Sequence, residues 1–223
     1  MEEVVRKNIT VCWLRRDLRL FDNAALYHAL KSDLPVLVIF IFDKNILDRL
    51  PNKKDKRVEF IQQNLEKLNR ELQKHGSSLL VLHETPKKAF QKLLKDFEVQ
   101  EVYTNHDYEP YAIKRDQEIG EFLQENRIEF NTFKDQVIFE RSEVMKPDDT
   151  PYTVFTPYSK KWKERLSGGA IPEYPSEEKL DHLLKISKME VPSLKNIGFE
   201  ETGYKVPDPD LSEGLIKNYD KTR

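Results

Sequence analysis

Cysteine is almost missing from this sequence, and glycine is scarce. Cys12 is the single cysteine among 223 residues, so neither an internal disulfide nor a thiolate metal cluster is available. The seven glycines never form G-x-G-x-x-G, which removes the glycine-rich phosphate loop of many nucleotide-binding folds. No apolar run reaches the length of a membrane span, and residues 1–7 lack the apolar stretch of a secretory signal. A surplus of one charge is absent as well. There are 37 Lys and Arg against 39 Asp and Glu, a net charge of −2, which argues against a surface that binds nucleic acid all round. A cytoplasmic monomer without membrane contact is the expectation.

What is present is an alternation of two kinds of apolar segment. Residues 9–14, 35–42, 78–83, 101–105 and, more weakly, 129–133 are β-branched and aromatic runs. The second is apolar without interruption, as a strand buried on both faces is. Between them lie stripes at helical spacing: Val58, Ile61, Leu65, Leu68 and Leu72, closed by His75-Gly76; Phe90, Leu93, Leu94 and Phe97 after Pro86; and Ile113, Ile119, Phe122 and Leu123. Asp22 reads as the N-cap of a further helix running through Ala24, Ala25, Leu26 and Leu30. Strand–helix alternation predicts an α/β fold over residues 1–135, a Rossmann-like, doubly wound parallel sheet of five strands flanked by helices. Residues 136–223 read as a long irregular connector. It holds one helix over 155–166 with Trp162 on its apolar side, then Gly168-Gly169, many prolines, and a short helix at Leu180, Leu183 and Leu184.

Four strings carry more information than composition does. The first strand runs into Trp13-x-Arg15-Arg16-Asp17-Leu18-Arg19-x-x-Asp22-Asn23, and the fourth into Asn105-x-x-x-Glu109-Pro110-Tyr111 followed by Arg115-Asp116. Both turns fall at carboxyl ends of strands, where open α/β sheets take ligands. Pro151-Tyr152-x-Val154-Phe155-x-Pro157-Tyr158-x-x-x-Trp162 marks the connector and reads as packing, with Lys160 and Lys161 solvated. Tyr219-x-x-x-Arg223 ends the chain. Together these strings resemble the photolyase/cryptochrome family, in particular the N-terminal antenna-binding domain of class I cyclobutane pyrimidine dimer photolyases.

The resemblance implies roles, each beside a structural alternative. Arg15 and Arg16 would pair with phosphates or carboxylates of an antenna chromophore, or else form salt bridges within the fold. Asp17 and Arg19 read as structural. Asp107 and Glu109 would accept ring N–H or hydroxyl donors, the alternative being a helix cap from Asn105 or Asp107. His106 reads as a surface residue, because no second metal ligand stands at the required spacing. Backbone groups of Phe40 and Phe42 would hydrogen-bond the ring and Arg57 would supply positive charge, unless these aromatics are simply core. Tyr219 would contact FAD and Arg223 would lie near DNA.

Members that bind methenyltetrahydrofolate place an asparagine and a glutamate where this chain has Tyr111 and Ala112, so the resemblance favours a deazaflavin or FMN, with a degenerate, empty pocket as the remaining case. Full-length relatives continue into a helical FAD domain. On this reading the chain is truncated before that partner domain, holds no catalytic residue of its own and does not repair damaged DNA alone. A cryptochrome photoreceptor and, from another class, a nucleotide-binding module of the electron-transfer-flavoprotein or universal-stress type are the competing readings.

Overall fold

The computed structural model describes residues 7–205 and 213–222. Five strands, β1 (Asn8–Leu14), β2 (Val36–Asp43), β3 (Leu80–Glu84), β4 (Glu98–Asn105) and β5 (Glu129–Phe133), form one sheet in the order β3-β2-β1-β4-β5. All four pairings are parallel. The chain winds from β1 outward through β2 and β3, then returns to lay β4 on the other side of β1. The order therefore reverses between β1 and β4, where such sheets open a crevice at the strands' carboxyl ends.

Successive strand residues point to opposite faces, so one run of sequence feeds two cores. Cys12, Leu14, Val36, Val38, Phe40 and Phe42 face α1 (Ala24–Ala29) and α3 (Lys56–Lys74), while Ile9, Val11, Trp13, Leu37, Ile39 and Ile41 face α4 (Pro86–Asp96) and α5 (Pro110–Glu125). Uninterrupted apolarity in β2 is the signature of that double burial. A one-turn helix, α2 (Lys44–Leu47), follows β2 directly. α3 ends on Gly76, at φ 70°, with Ser77 N–H donating back to the Leu72 carbonyl at 3.1 Å. Only glycine takes that left-handed turn without strain.

α1 starts one residue later than the sequence suggests. Asn23 is the cap, its Oδ1 accepting from Leu26 N–H at 3.1 Å, and Asp22 sits before it at φ 45°. The reason is a buried polar web beneath the first turn. Asp17 Oδ2 accepts from Asn23 Nδ2 at 3.1 Å and Asn105 Nδ2 at 2.6 Å, while Asn105 Oδ1 accepts from Ala25 N–H at 2.9 Å. Asn105 thus supports α1, on another element, rather than the helix that follows it. Arg19 pairs with Asp135 at 2.9 Å, and Asp135 also accepts from Ala24 N–H. The structural reading of Asp17 and Arg19 holds.

The irregular stretch after β5 divides into two parts. Leu180, Leu183, Leu194, Ile197 and Phe199 are buried in the α1/α3 core, and Leu184 N–H donates to the Val36 carbonyl at 2.8 Å. Met189 is held by Asn69 and Ser78. The short helix expected here is a 3-10 turn, Ser176–His182. By contrast α6 (Phe155–Ser167) buries no residue, and Val154 and Phe155 are 61% and 78% exposed. The packing expected of this segment is confined to Trp162 against Phe139, at 5.6 Å, and Tyr152 against Tyr158. Helices α7 (Glu213–Lys217) and α8 (Tyr219–Thr222) follow. Among the described residues no helix is long and apolar enough to cross a membrane.

Replacing Asn105 by Ala leaves a buried carboxylate and a buried N–H short of partners. The expected loss is about 2–4 kcal/mol, read as a lower urea midpoint. An unchanged midpoint would remove the web from the stability argument.

Candidate functional site

At the reversal point the turn after β1 and the turn after β4 meet around a cleft of about 280 Å³. Its floor and walls are apolar, with Trp13, Phe40, Ile41, Phe42, Ile46, Leu47, Ile61 and Ala112 supplied by β1, β2, α2, α3 and α5. Its polar groups are Arg15, Arg16, Asp43, Asp107, Glu109, Tyr111 and Arg115. An apolar hollow with a few convergent polar groups is the usual form of a small-molecule site.

The two arginines of the β1 turn have different duties. The Arg15 side chain is buried, and its Nη1 donates to both Asp116 oxygens, at 2.5 and 2.7 Å; Nη2 donates to the Asn105 carbonyl, and the guanidinium lies 5.0 Å above the Trp13 ring. Burial lowers its pKa, with Asp116 opposing. Its side chain is committed to the fold. Arg16 reaches Asp107 at 3.4 Å and Glu109 at 3.7 Å with its own side chain 60% exposed. Such exposed pairs are worth at most about 1 kcal/mol, so Arg16 is free to exchange partners.

On the acidic turn, Asp107 is nearly buried and Glu109 is 68% exposed. Neither Asn105 nor Asp107 caps α5: the cap position is Glu109, with Pro110 opening the helix. His106 is not a free surface residue. Its Nδ1 meets both Glu140 oxygens at 2.9 Å and its Nε2 meets Thr132 at 3.0 Å, while Tyr108 also donates to Glu140. These bonds tie the acidic turn to the segment beyond β5.

Six of the residues singled out from sequence, Arg15, Arg16, Phe40, Phe42, Asp107 and Glu109, therefore line one cleft. Arg57 does not join them. It is an exposed residue at the start of α3 that folds back on Asp55 at 2.6 Å. Tyr219 is 64% exposed on α8, apart from the cleft lining. Arg223 lies outside the described residues.

Sequence reasoning passed over Trp13 and Arg115 as cleft residues, and used Tyr111 and Ala112 only to tell one antenna from another. A signal existed: Tyr111, Ala112 and Arg115 are spaced to share one face of α5, and Trp13 faces α5 by strand alternation. Tyr111 donates to Asp43 across the cleft wall, and Asn45 Nδ2 donates to the Tyr111 hydroxyl at 3.1 Å. Burial raises the Asp43 pKa and, with the Asp43 bond, pushes the Tyr111 phenol up to about 12.

The chain matches the family model described as DNA photolyase over residues 10–178. It is 35% identical over 170 residues to a deoxyribodipyrimidine photo-lyase of Alkalihalophilus pseudofirmus, covering 74% of this chain and 35% of that protein. Relatives named as cryptochromes match at 24–26% identity. The fold superposes on a bacterial class III photolyase from Agrobacterium tumefaciens with a TM-score of 0.70 at 21% identity, covering 89% of this chain and 39% of that one. An archaeal photolyase from Sulfolobus tokodaii, described with two FAD molecules and a novel light-harvesting cofactor, gives 0.58 at 25% identity, covering 81% and 42%. The chain spans 35–66% of the length of the first curated relatives it matches.

The Tyr111–Asp43 bond makes a pH prediction. A phenol whose folded pKa lies above the ordinary 10 contributes stability that is complete below pH 10 and lost as pH rises to about 12. Tyr111→Phe is expected to flatten that part of the alkaline unfolding profile. A profile identical to wild type would show that the bond carries no such linkage.

Proposed function

This chain belongs to the DNA photolyase family, and we propose that its cleft holds the light-harvesting pigment of a deoxyribodipyrimidine photolyase. The observation that carries the reading is the meeting of the arginine and acidic turns on one rim, above an apolar floor. Flat heterocycles suit such a site because the ring buries its faces and directs its few polar atoms at fixed partners. A bound pigment would absorb light and pass the excitation to the flavin of the same protein. The chain's own residues bind and orient: Phe40, Phe42 and Ile61 exclude water, Asp107 accepts ring donors, and Arg16 swings to meet a phosphate or carboxylate at the mouth.

Tyr111 and Ala112 leave no side-chain carboxylate or amide at those two positions, which favours a deazaflavin or FMN over methenyltetrahydrofolate. In the complete enzyme we assign electron transfer from reduced FAD to a cyclobutane pyrimidine dimer flipped out of DNA. Tyr219 would contact that flavin and Arg223 the DNA, with a helical domain completing the site and a cytoplasmic monomer as the working state. A cryptochrome is the less favoured reading, because the relatives so named are more distant than the 35% photo-lyase.

Titration of the chain with FMN, an 8-hydroxy-5-deazaflavin and methenyltetrahydrofolate, followed by fluorescence anisotropy, is expected to show saturable binding of FMN or the deazaflavin. Ile46→Trp fills the half-exposed mouth and should weaken that binding at least about 10-fold. Binding indifferent to Ile46→Trp would place the pigment elsewhere, and absence of binding would overturn the reading. The chain by itself is expected to leave dimers unrepaired under blue light, scored by loss of dimers from an irradiated oligonucleotide.

A further inference from the structure

Arg115 has a hydrogen-bond donor that the fold does not use. Of the buried side-chain nitrogens and oxygens without a partner among the described residues, Arg115 Nη2 is the one whose residue lines the cleft. Arg115 is 8% exposed, and its guanidinium is held 5.1 Å above the Trp13 ring while Nε donates to Asp116 at 2.9 Å. Nη2 is also 2.9 Å from Asp116 but does not point at it, and it stands 3.9 Å from Asp107 Oδ2, beyond hydrogen-bond reach. An unmet donor on a buried cation is costly in a native site unless something arrives to accept from it.

The charge around this donor already leans negative. Arg15, Arg16 and Arg115 stand against Asp43, Asp107, Glu109 and Asp116. What is missing is an acceptor rather than an anion, which points to a neutral carbonyl and away from a phosphate at this spot. Beside it, Asp107 offers only acceptors. A donor and an acceptor set side by side, too far apart to satisfy each other, can each reach one of two adjacent ring atoms.

Resting on the pigment reading above, we propose that Arg115 and Asp107 together read an amide edge. Arg115 Nη2 donates to a ring carbonyl, and Asp107 Oδ2 accepts from the neighbouring ring N–H. The ligand class is therefore a fused oxo-heterocycle with adjacent N–H and C=O, inserted with that edge toward α5 and its substituent tail toward Arg16 at the mouth. Arg115 is a specificity-determining residue on this assignment, and Arg15 and Trp13 are positioning residues that hold it.

The experiment needs no mutant to begin with. Riboflavin and 3-methylriboflavin differ only in the ring N–H, and both are titrated into the wild-type chain by fluorescence quenching. Riboflavin is expected to bind about 10- to 100-fold more tightly, as the loss of a hydrogen bond to a charged partner implies. Arg115→Met keeps the stem over Trp13 and should weaken riboflavin by a similar factor, with an unchanged circular dichroism spectrum. Equal affinity of the two flavins in wild type would overturn the edge assignment and leave the pigment reading standing. Failure of either flavin or a deazaflavin to bind would overturn both.

Discussion

A buried carboxylate fixes the geometry of everything at the sheet's reversal point. Asp17 sits under the first turn of α1 and gathers N–H groups from Arg15, Asn23 and Asn105. These three come from the end of β1, the start of α1 and the end of β4. A polar network closed off from water is stabilising only when every member is matched, so the three segments have one acceptable arrangement. The direction in which each turn leaves the sheet follows from it.

From that arrangement the cleft inherits its charge pattern. Arg15 and Arg115 share Asp116 and flank the same indole, so Arg115 meets a guest from a fixed position while Arg16 stands exposed at the mouth. The apolar wall comes from the other end of the same logic. β2 is buried on both sides until Asp43, whose carboxylate caps α2 and receives the Tyr111 hydroxyl. Strands carry the floor, α2, α3 and α5 supply the walls, and the exposed Arg16 stands at the mouth.

Much of this was legible in the residues. Continuous β2, the alternating neighbours, and stripes at three- and four-residue spacing mark the sheet and its two layers of helices, because burial imposes period 2 and period 3.6 on apolar side chains. The two charged turns were visible as motifs, and topology alone brought them together. Arg57 misled because it opens a helix that borders the cleft; its side chain is taken by Asp55 two residues earlier, a local contact that motif resemblance does not see. Asp22 misled as well, since the cap fell to Asn23, which Asp17, six residues earlier, holds in place. Arg115 escaped notice because its partners arrive from β1 and from the adjacent Asp116, and its unmet donor exists only in three dimensions. Leu180, Leu183 and Leu184 gave only a short helical signal, and Leu194, Ile197 and Phe199 none as core residues, for these side chains enter the core along an irregular path.

That path has a bearing on how the protein is made. Leu183 and Leu184 dock on Val36, some 150 residues earlier in the chain. A sheet can assemble once β5 has emerged, yet the layer beneath α1 and α3 keeps an unsealed greasy seam until Phe199 has left the ribosome. Contacts that distant in sequence close slowly, and nascent chains with such seams are the ones that stick to each other. Synthesis of this domain thus passes through an interval in which its sheet exists and its cover does not.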